Sequence, residues 1–261
     1  MCTMTWFDTD NGYQLFFNRD EMISRRRALL PSIQSDGNVR YISPTDTDAG
    51  GTWITVNHFG VTVCLLNHYQ FEQIESYKEW ISRGEIVRQF AASHDIEFAA
   101  QRFMRLELED YRAFRMFLID KQGNNYLCVW DGHKPRLQQQ VDSPKSSSSI
   151  DAKHVKASRK QRFDELALDT SKNNDAYLAY HSEHWPDRSR ESVCMHRDQA
   201  NTVSLCHIIV ADDEIKFSYA DGAPCTAELA AALHLPLKTE QRADTKPVHI
   251  AAIQSAAMTD G

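Results

Sequence analysis

The chain has 261 residues, of which 42% are hydrophobic and 25% are charged, a balance typical of a globular protein that buries a large core. Acidic residues outnumber lysine plus arginine by 36 to 29, giving a formal net charge of −7, which argues against nucleic acid or an anionic membrane as partner. No apolar run approaches the roughly 18 residues of a transmembrane helix, and residues 1–20 lack a basic n-region. We therefore expect a cytoplasmic protein with no membrane span.

The cysteines are widely spaced and form no Cys-x-x-Cys pair. They are Cys2, Cys64, Cys128, Cys194, Cys206 and Cys225. This spacing argues against a zinc site and against a disulfide framework, and it favours a reducing compartment. The usual attachment signal of c-type haem is also absent. The cysteine pattern therefore predicts no metal site.

The first predicted element is a β-hairpin. Thr3–Phe7 and Tyr13–Phe17 are short runs rich in aromatic residues and threonine, and an Asn-Gly turn signal lies between them. In an antiparallel hairpin the start of the first strand lies opposite the end of the second. Cys2 is therefore expected level with Asn18–Asp20.

Cys2 follows the initiator methionine, which is normally removed before so small a residue. The new N-terminus would carry a thiol and an α-amine of pKa about 7.7–8.0, close enough to neutral to act as a base. One residue would then supply both nucleophile and base. From the residue pattern alone, an ordinary cysteine near the start of a strand, with Asn18–Glu21 as a solvated turn, is the commoner meaning.

A second hairpin is predicted from Gly50–Val56 and Val61–Asn67. Its symmetry places the glycines at 50 and 51 opposite Asn67, where a backbone can approach closely and a side-chain amide can donate to an oxyanion. The alternative is that Asn67 is only a turn residue at the end of a strand.

The remaining pattern places helices between early and late strands, which predicts an α+β order. The predicted helices are Glu21–Leu30, Gln70–Ile81, a piece around Ile86 and Phe90, Ile96–Glu109, Ala152–Leu168, Asn173–His184 and Thr226–Leu233. The predicted strands are Tyr111–Ile119, Tyr126–Trp130, Pro135–Val141, Ser192–His196, Thr202–Val210 and Ile215–Ala220. Residues 35–49 and the serine-rich segment Ser143–Ser149 are expected to be loops. Residues 1–237 are expected to form a single domain and 238–261 a partly disordered tail.

Two clusters of polar residues allow more than one interpretation. His181 and His184 share a face of a predicted helix and would suit a metal or a haem iron, although a solvated face is the commoner meaning of such a pair. The three consecutive arginines at 25–27 would suit an anionic ligand, but they equally fit an exposed, solvated face.

The start of the chain resembles the family named after its Asn18-Arg19-Asp20-Glu21 tetrad, the NRDE or transport-and-Golgi-organisation protein 2 family. Further segments agree in order: Gly50-Gly51-Thr52-Trp53, Leu66-Asn67 and Ser82-Arg83-Gly84-Glu85. The resemblance covers residues 1 to about 220 and is strongest in the first ninety. The family is similar to N-terminal-nucleophile hydrolases of the bile-salt hydrolase and penicillin acylase type. The implied fold is an α+β, four-layer αββα sandwich of two antiparallel sheets.

The resemblance also implies site residues. Cys2 would be the nucleophile, Asp20 and Arg19 would position the amine and substrate, Asn67 would stabilise the oxyanion, and Arg197 is an approximate match to a late family arginine. The hydrolases carry an arginine where this chain has Phe17. In the Ser146–Asp151 segment, which approximates another family motif, Ser148 stands at the place of a family asparagine.

Two functions follow from the resemblance. The first is haem trafficking, in which the chain binds haem and delivers it to haemoproteins such as cytochromes, with Cys2, Asn18 and Arg19 as expected haem contacts. A different amphipathic small molecule would fit the same expectation. The alternative is an N-terminal-cysteine amidohydrolase or acyltransferase acting on an amide or thioester. A third possibility is an interaction scaffold without a small ligand.

Overall fold

Two stacked sheets form the centre of the fold. This is seen in a computed structural model, which describes residues 1–69 and 79–238. The first sheet contains β1 Cys2–Thr9, β2 Gly12–Met22, β10 Lys145–Ser147, β11 Ala200–Ala211, β12 Glu214–Ala220 and β13 Leu233–Pro236. The second contains β3 Leu29–Asp36, β4 Val39–Thr45, β5 Ile54–Asn57, β6 Thr62–Asn67, β7 Phe114–Ile119, β8 Asn125–Trp130 and β9 Pro135–Gln139. Neighbouring strands within each sheet pair antiparallel, in the orders β10-β1-β2-β11-β12-β13 and β3 to β9.

The inner faces of the two sheets share one hydrophobic core. Because side chains alternate along a strand, Met4 and Trp6 of β1 point between the sheets, where Trp6 packs on Phe117 of β7 with ring centroids 4.4 Å apart. Thr3 and Thr5 point to the opposite face and bond to residues of the helical layer. Cys2 belongs to the inner core, and this places its side chain between the sheets.

Helices cover both outer faces. The helices α1 Arg83–Phe90 and α2 Ile96–Phe103 pack on the second sheet, where they form a second core with β6, β7 and β8. The helices α3 Ala152–Glu165, α4 Leu168–Ser171 and α5 Asn174–Ser182 cover the first sheet. The layers are therefore helix, sheet, sheet and helix, and the αββα architecture expected from the sequence is confirmed. In the described part of the chain no helix is long and apolar enough to cross a membrane.

The serine-rich segment at 143–149 was expected to be a loop, and this prediction is wrong. Residues Lys145–Ser147 form β10, which pairs antiparallel with β1 so that Ser147 lies opposite Cys2. The other side of β1 pairs with β2. Serine has only a moderate strand preference, but pairing with β1 satisfies backbone groups that would otherwise be unpaired at a buried sheet edge. Cys2 is thereby held between two strands.

Two early predictions are also wrong. The segment at 21–30 is not a helix, because β2 continues to Met22 and pairs with β11, and β3 begins at Leu29. Residues 35–49 are not a loop, because β3 and β4 form a hairpin through Gly37, whose φ of +55° suits glycine. Long-range sheet pairing has outweighed local preference in both places.

Five later predictions require correction or lie outside the described residues. Ser192–His196 is not a strand, and Thr226–Leu233 is not a helix. Instead β13 begins at Leu233 and pairs with β12, and Leu235 is fully buried between the sheets. The helix predicted to end at Glu109 ends at Phe103. Most of the helix predicted from Gln70, and the tail beyond residue 238, lie outside the described residues.

Candidate active site

A cavity of about 500 Å³ lies where the start of β1 and the last residues of β2 and β6 meet the start of α1. Its lining combines a cysteine, four arginines, three carboxylates, an asparagine and two tryptophans. These residues are Cys2, Arg19, Arg25, Arg83, Arg112, Asp20, Glu21, Asp46, Asn67, Trp53 and Trp80. Of the residues expected to act in catalysis, Cys2, Arg19, Asp20 and Asn67 therefore lie on one cavity.

Cys2 is buried and lies at the first position of β1, opposite Arg19 of β2. Burial has the largest effect on the pKa of the Cys2 thiol and raises it; Asp20 raises this pKa further, whereas the N-terminal ammonium lowers it. A thiol with a raised pKa keeps its proton at neutral pH, and the thiolate is the reactive form. Nucleophilic attack by Cys2 therefore requires a base close to its sulfur.

Asp20 is almost fully buried and is fixed by side chains from distant parts of the chain. The hydroxyl of Thr202 donates to Oδ1 of Asp20 at 2.6 Å. Nη2 of Arg159, on α3, lies 3.6 Å from Oδ2, and neither side chain is exposed. Oδ2 has no hydrogen-bond partner among the described residues. An unpartnered buried oxygen is costly, so an additional donor next to Oδ2 would stabilise Asp20.

Arg19 lines the cavity beside Cys2, opposite which it lies in the pairing of β1 with β2. Its guanidinium stacks over the ring of Trp53, 4.3 Å from the centroid, and donates to Asp46 at 3.0 Å and Glu21 at 3.2 Å. Arg25 also bonds to Asp46. Burial alone would raise the pKa of Asp46, but the bond from Arg25 and the charge of Arg19 leave it lowered. The carboxylate therefore stays ionised and holds both arginines.

Asn67 ends β6 and presents its side-chain amide to the cavity. Its Nδ2 donates to the phenolic oxygen of Tyr69 at 2.7 Å, which uses one of the two amide hydrogens. Burial raises the pKa of Tyr69, whereas the bond from Asn67 and the charge of Arg83 lower it. No second acceptor for this amide lies among residues 1–69 and 79–238, which leaves one N–H of Asn67 for a ligand.

Two glycine-containing segments meet at the cavity wall. A Cβ on Gly51 would lie 2.6 Å from the carbonyl carbon of Gly84, and a Cβ on Gly84 would lie 2.9 Å from backbone atoms of Thr52. The amide of Thr52 donates to the carbonyl of Gly84 at 3.2 Å. The two segments, which sequence analysis found separately, form one contact that joins the second sheet to α1.

The remaining predicted residues lie outside this cavity lining. Asn18 faces the helical layer, because neighbouring side chains on β2 alternate, and its amide donates to the carbonyl oxygens of His181 and Val193. Arg197 contacts the sulfur of Met1 at 3.7 Å. Ser148 is buried, and its hydroxyl donates to the carbonyl of Ile150. These three side chains therefore do not line the cavity with Cys2 and Asn67.

The expected pairing of His181 with His184 on one helix face is wrong. His181 is fully buried, and its two ring nitrogens bond to Thr5 at 2.8 Å and Asn18 at 3.0 Å. Burial, with smaller effects from His207 and Arg159, lowers the pKa of His181 to about 3. His184 lies beyond the end of α5. Both nitrogens of His181 are occupied, so this histidine has no free ligand atom.

A protein-family model for "Transport and Golgi organisation 2" matches residues 1–215. The chain belongs to this family. The expected family membership is thereby confirmed over most of the chain, including every element that lines the cavity. No curated protein sequence matches the chain.

The fold of this chain is similar to that of several solved hydrolase structures. A C2A mutant of conjugated bile acid hydrolase from Clostridium perfringens aligns with a TM-score of 0.53 and 12% identity, covering 92% of this chain and 97% of that one. A Caenorhabditis elegans orthologue of N-acylethanolamine-hydrolyzing acid amidase gives 0.60 and 10%, covering 80% and 92%. Penicillin V acylase from Agrobacterium tumefaciens gives 0.50 and 11%, covering 84% and 86%. At such identities the similarity establishes the N-terminal-nucleophile-hydrolase-like fold alone.

Sequence reasoning missed two residues that support the site, Arg159 and Thr202. Arg159 lies in a basic helix and also donates to Thr3 and to the carbonyls of Arg190 and Glu191. Nothing in its local pattern distinguishes it from its exposed neighbours. Thr202 was identified only as a strand residue near Arg197. Only the three-dimensional contacts show that both hold Asp20.

Proposed function

We propose that this family member is an N-terminal-cysteine acyl-transfer enzyme that acts on an amide or thioester. The observation that carries the proposal is the convergence of Cys2, Asp20 and Asn67 on one cavity. A nucleophile, an anchored carboxylate and an amide donor are the parts that acyl transfer requires. The similarity of the fold to three acyl-amide hydrolases supports this choice.

The reaction begins with loss of Met1, which frees the α-amine of Cys2. This amine removes the proton from the thiol, and Sγ attacks the carbonyl carbon of the substrate. The free N–H of Asn67 donates to the oxygen as negative charge develops on it. The tetrahedral intermediate collapses, the leaving amine or thiol takes the proton from the α-ammonium, and an acyl thioester remains on Cys2. Water, activated by the same amine, then releases the acid.

Asp20 has a positioning role in this scheme. Before processing, the N-terminal ammonium of Met1 donates to the carbonyl of Asp20 at 3.2 Å, and the amide of Asp20 donates to the carbonyl of Met1 at 2.9 Å. The α-ammonium created at Cys2 would supply the donor that Oδ2 of Asp20 lacks. The salt bridge to Arg159 and the bond from Thr202 then fix the carboxylate, and through it the amine.

The first test is turnover on a series of N-acyl amides and acyl thioesters. The substrates differ in acyl length, and intact mass first confirms that Met1 has been removed. Release of the acid by the wild type, its loss in Cys2→Ala and its retention in Cys206→Ala would support the proposal. Cys206 is a suitable control because it is a buried cysteine of the same inner core that does not line the cavity. A correctly processed chain without activity on either substrate class would contradict the proposal.

Haem binding is a second candidate, favoured by the pairing of arginines with tryptophans in the cavity. The guanidinium of Arg19 lies over Trp53 and that of Arg112 lies 5.8 Å from the ring centroid of Trp80. Flat indole rings suit a planar macrocycle, and arginines suit two propionates. Cys2 would be the sulfur ligand of the iron, which requires that its thiol lose the proton on binding. Delivery to a haemoprotein would be the corresponding biological role.

A haem titration followed by absorbance distinguishes haem binding from acyl transfer. The haem proposal predicts saturable binding near one haem per chain, weakened by Cys2→Ala and unchanged in Cys206→Ala. Absence of saturable binding would contradict it and would leave the turnover assay unaffected. Turnover without haem binding would assign the cavity to acyl transfer.

A further inference from the structure

A group of four metal-ligating side chains lies outside the cavity. His184, Cys194, His196 and Cys225 each offer one ligand atom, and these atoms all lie within 4.8 Å of one another. His184 follows α5, Cys194 and His196 lie in the irregular segment before β11, and Cys225 follows β12. Three separate parts of the chain therefore contribute to one small cluster.

Two distances within the cluster match the edge of a tetrahedral zinc site. Nε2 of His196 lies 3.6 Å from Sγ of Cys194 and 3.3 Å from Sγ of Cys225. With Zn–S of about 2.3 Å and Zn–N of about 2.0–2.1 Å, a tetrahedral N···S edge is about 3.5 Å. A ring nitrogen carries either one hydrogen or one lone pair, so a single linear hydrogen bond explains the contact of Nε2 with only one of the two sulfurs. A shared cation accounts for both.

The ring of His184 is already oriented for coordination. Its Nδ1 lies 2.9 Å from the carbonyl oxygen of Cys194. A carbonyl only accepts, so Nδ1 carries the proton and Nε2 keeps its lone pair. A hydrogen bond from the second ring nitrogen to a backbone carbonyl is the usual support for a histidine ligand.

We propose that His184, Cys194, His196 and Cys225 bind one Zn²⁺ as a Cys₂His₂ site. Two thiolates and two imidazoles are a donor set that zinc prefers. Binding converts both thiols to thiolates and releases their two protons to solvent, so the site gains no net charge. Four protein ligands fill a tetrahedral coordination shell. The site is therefore structural and does not activate water.

The proposed zinc site lies next to Thr202, the residue whose hydroxyl donates to Asp20. The amide of Met195, between two ligands, donates to the hydroxyl oxygen of Thr202 at 2.8 Å, and the amide of Thr202 donates to the carbonyl of Met195 at 2.8 Å. The same hydroxyl donates to Asp20. Zinc would therefore fix the segment that positions Thr202. The site itself does not depend on the function proposed for the cavity.

Cobalt substitution provides the test, because Co²⁺ bound by thiolates gives an intense charge-transfer absorption and a tetrahedral d–d pattern. The reduced, metal-free full-length chain is titrated with Co²⁺ and then with Zn²⁺ in the presence of a chromophoric chelator. The proposal predicts close to one Co²⁺ per chain with the absorption of two thiolates, followed by displacement by Zn²⁺. Absence of thiolate absorption in the reduced wild type would overturn it.

Variants assign the ligands. Loss of a residue that hydrogen-bonds to a metal ligand typically lowers metal affinity about 10–100-fold. Loss of a ligand itself should cost more, so Cys225→Ser and His184→Asn should each weaken zinc binding by at least about 100-fold. Cys206→Ala and His94→Asn are the matched controls and should retain the metal. Unchanged zinc affinity in both ligand variants would overturn the assignment. A disulfide between Cys194 and Cys225 that persists in the reduced, metal-supplied protein would also overturn it.

Discussion

Arg159 of α3 and Asp20 of β2 form a salt bridge from which water is excluded. The two charged groups lie 3.6 Å apart, and both side chains have 0% exposure. Arg159 spreads its remaining donors over Thr3 and two backbone carbonyls. A helix far along the chain thus supplies the cation that pairs with this carboxylate.

Replacing Arg159 with methionine should destabilise the fold strongly. Removing one partner of a buried ion pair leaves the other charge unpaired and typically costs about 3–5 kcal/mol. Urea unfolding measures the loss. The control is Lys160→Met on the same helix, because the exposed Lys160–Asp164 pair should contribute less than about 1 kcal/mol. Equal effects of the two substitutions would contradict the role given to Arg159.

Stability should fall as the pH is lowered from about 6.5. Burial lowers the pKa of His207 to about 4 and that of His181 to about 3, whereas both are near 6.5 in an unfolded chain. Below pH 6.5 the unfolded chain therefore binds protons that the folded chain does not. Each histidine should contribute a slope of up to about 1.4 kcal/mol per pH unit until its folded pKa is reached.

His207→Gln and His181→Gln isolate this effect from the carboxylates, which titrate at lower pH. Each variant should show a shallower loss of unfolding free energy between about pH 6.5 and 5, since about one proton less is taken up on unfolding. Parallel pH profiles for wild type and variants would show that these histidines do not control the acid response.

Asn67→Ala should lower the rate of acyl transfer with little change in KM. Loss of one oxyanion donor typically reduces kcat by about 10²–10³-fold. Tyr69→Phe is the comparison, because it removes the acceptor of the Asn67 amide and leaves the donor itself in place. A fall in kcat for Asn67→Ala no larger than that for Tyr69→Phe would contradict an oxyanion role.

Gly84→Ala should disturb the cavity wall. The added Cβ would approach the backbone of Thr52 to 2.9 Å, and backbone atoms cannot rotate away as a side chain can. Overpacking of this kind typically costs about 1–3 kcal/mol. Thermal unfolding and a decrease in turnover report the two consequences. Wild-type stability and turnover in Gly84→Ala would show that the contact at Thr52 is not close-packed.

The parts of the fold predicted correctly carry local signals. The hairpin around Asn11-Gly12 and the strands near Phe114 and Tyr126 combine short runs rich in aromatic residues with turn residues between them, so local sequence is sufficient to predict extended structure there. The two-sheet architecture followed from the resemblance, through the Asn18–Glu21 tetrad. The closeness of Cys2 to Asn18–Asp20 was also accessible, because paired strands fix which residues are level with one another, whereas the place of Asn67 beside them followed only from the resemblance.

The parts predicted incorrectly depend on distant partners. Lys145–Ser147 becomes a strand because β1 needs a neighbour, and Leu235 enters the core because β12 offers an edge. The cluster around His196 was missed for the same reason. Its cysteines, at 194 and 225, have no characteristic spacing, and the fold alone brings them together.

The most direct test of the proposed acyl transfer is the intact mass of the protein after brief incubation with an acyl thioester. Acyl transfer by Cys2 predicts a chain that lacks Met1 and gains one acyl group on Cys2. This adduct should be removed by neutral hydroxylamine, absent in Cys2→Ala and present in Cys206→Ala. A processed wild-type chain without any acyl adduct, or with an adduct that persists in Cys2→Ala, would contradict the account.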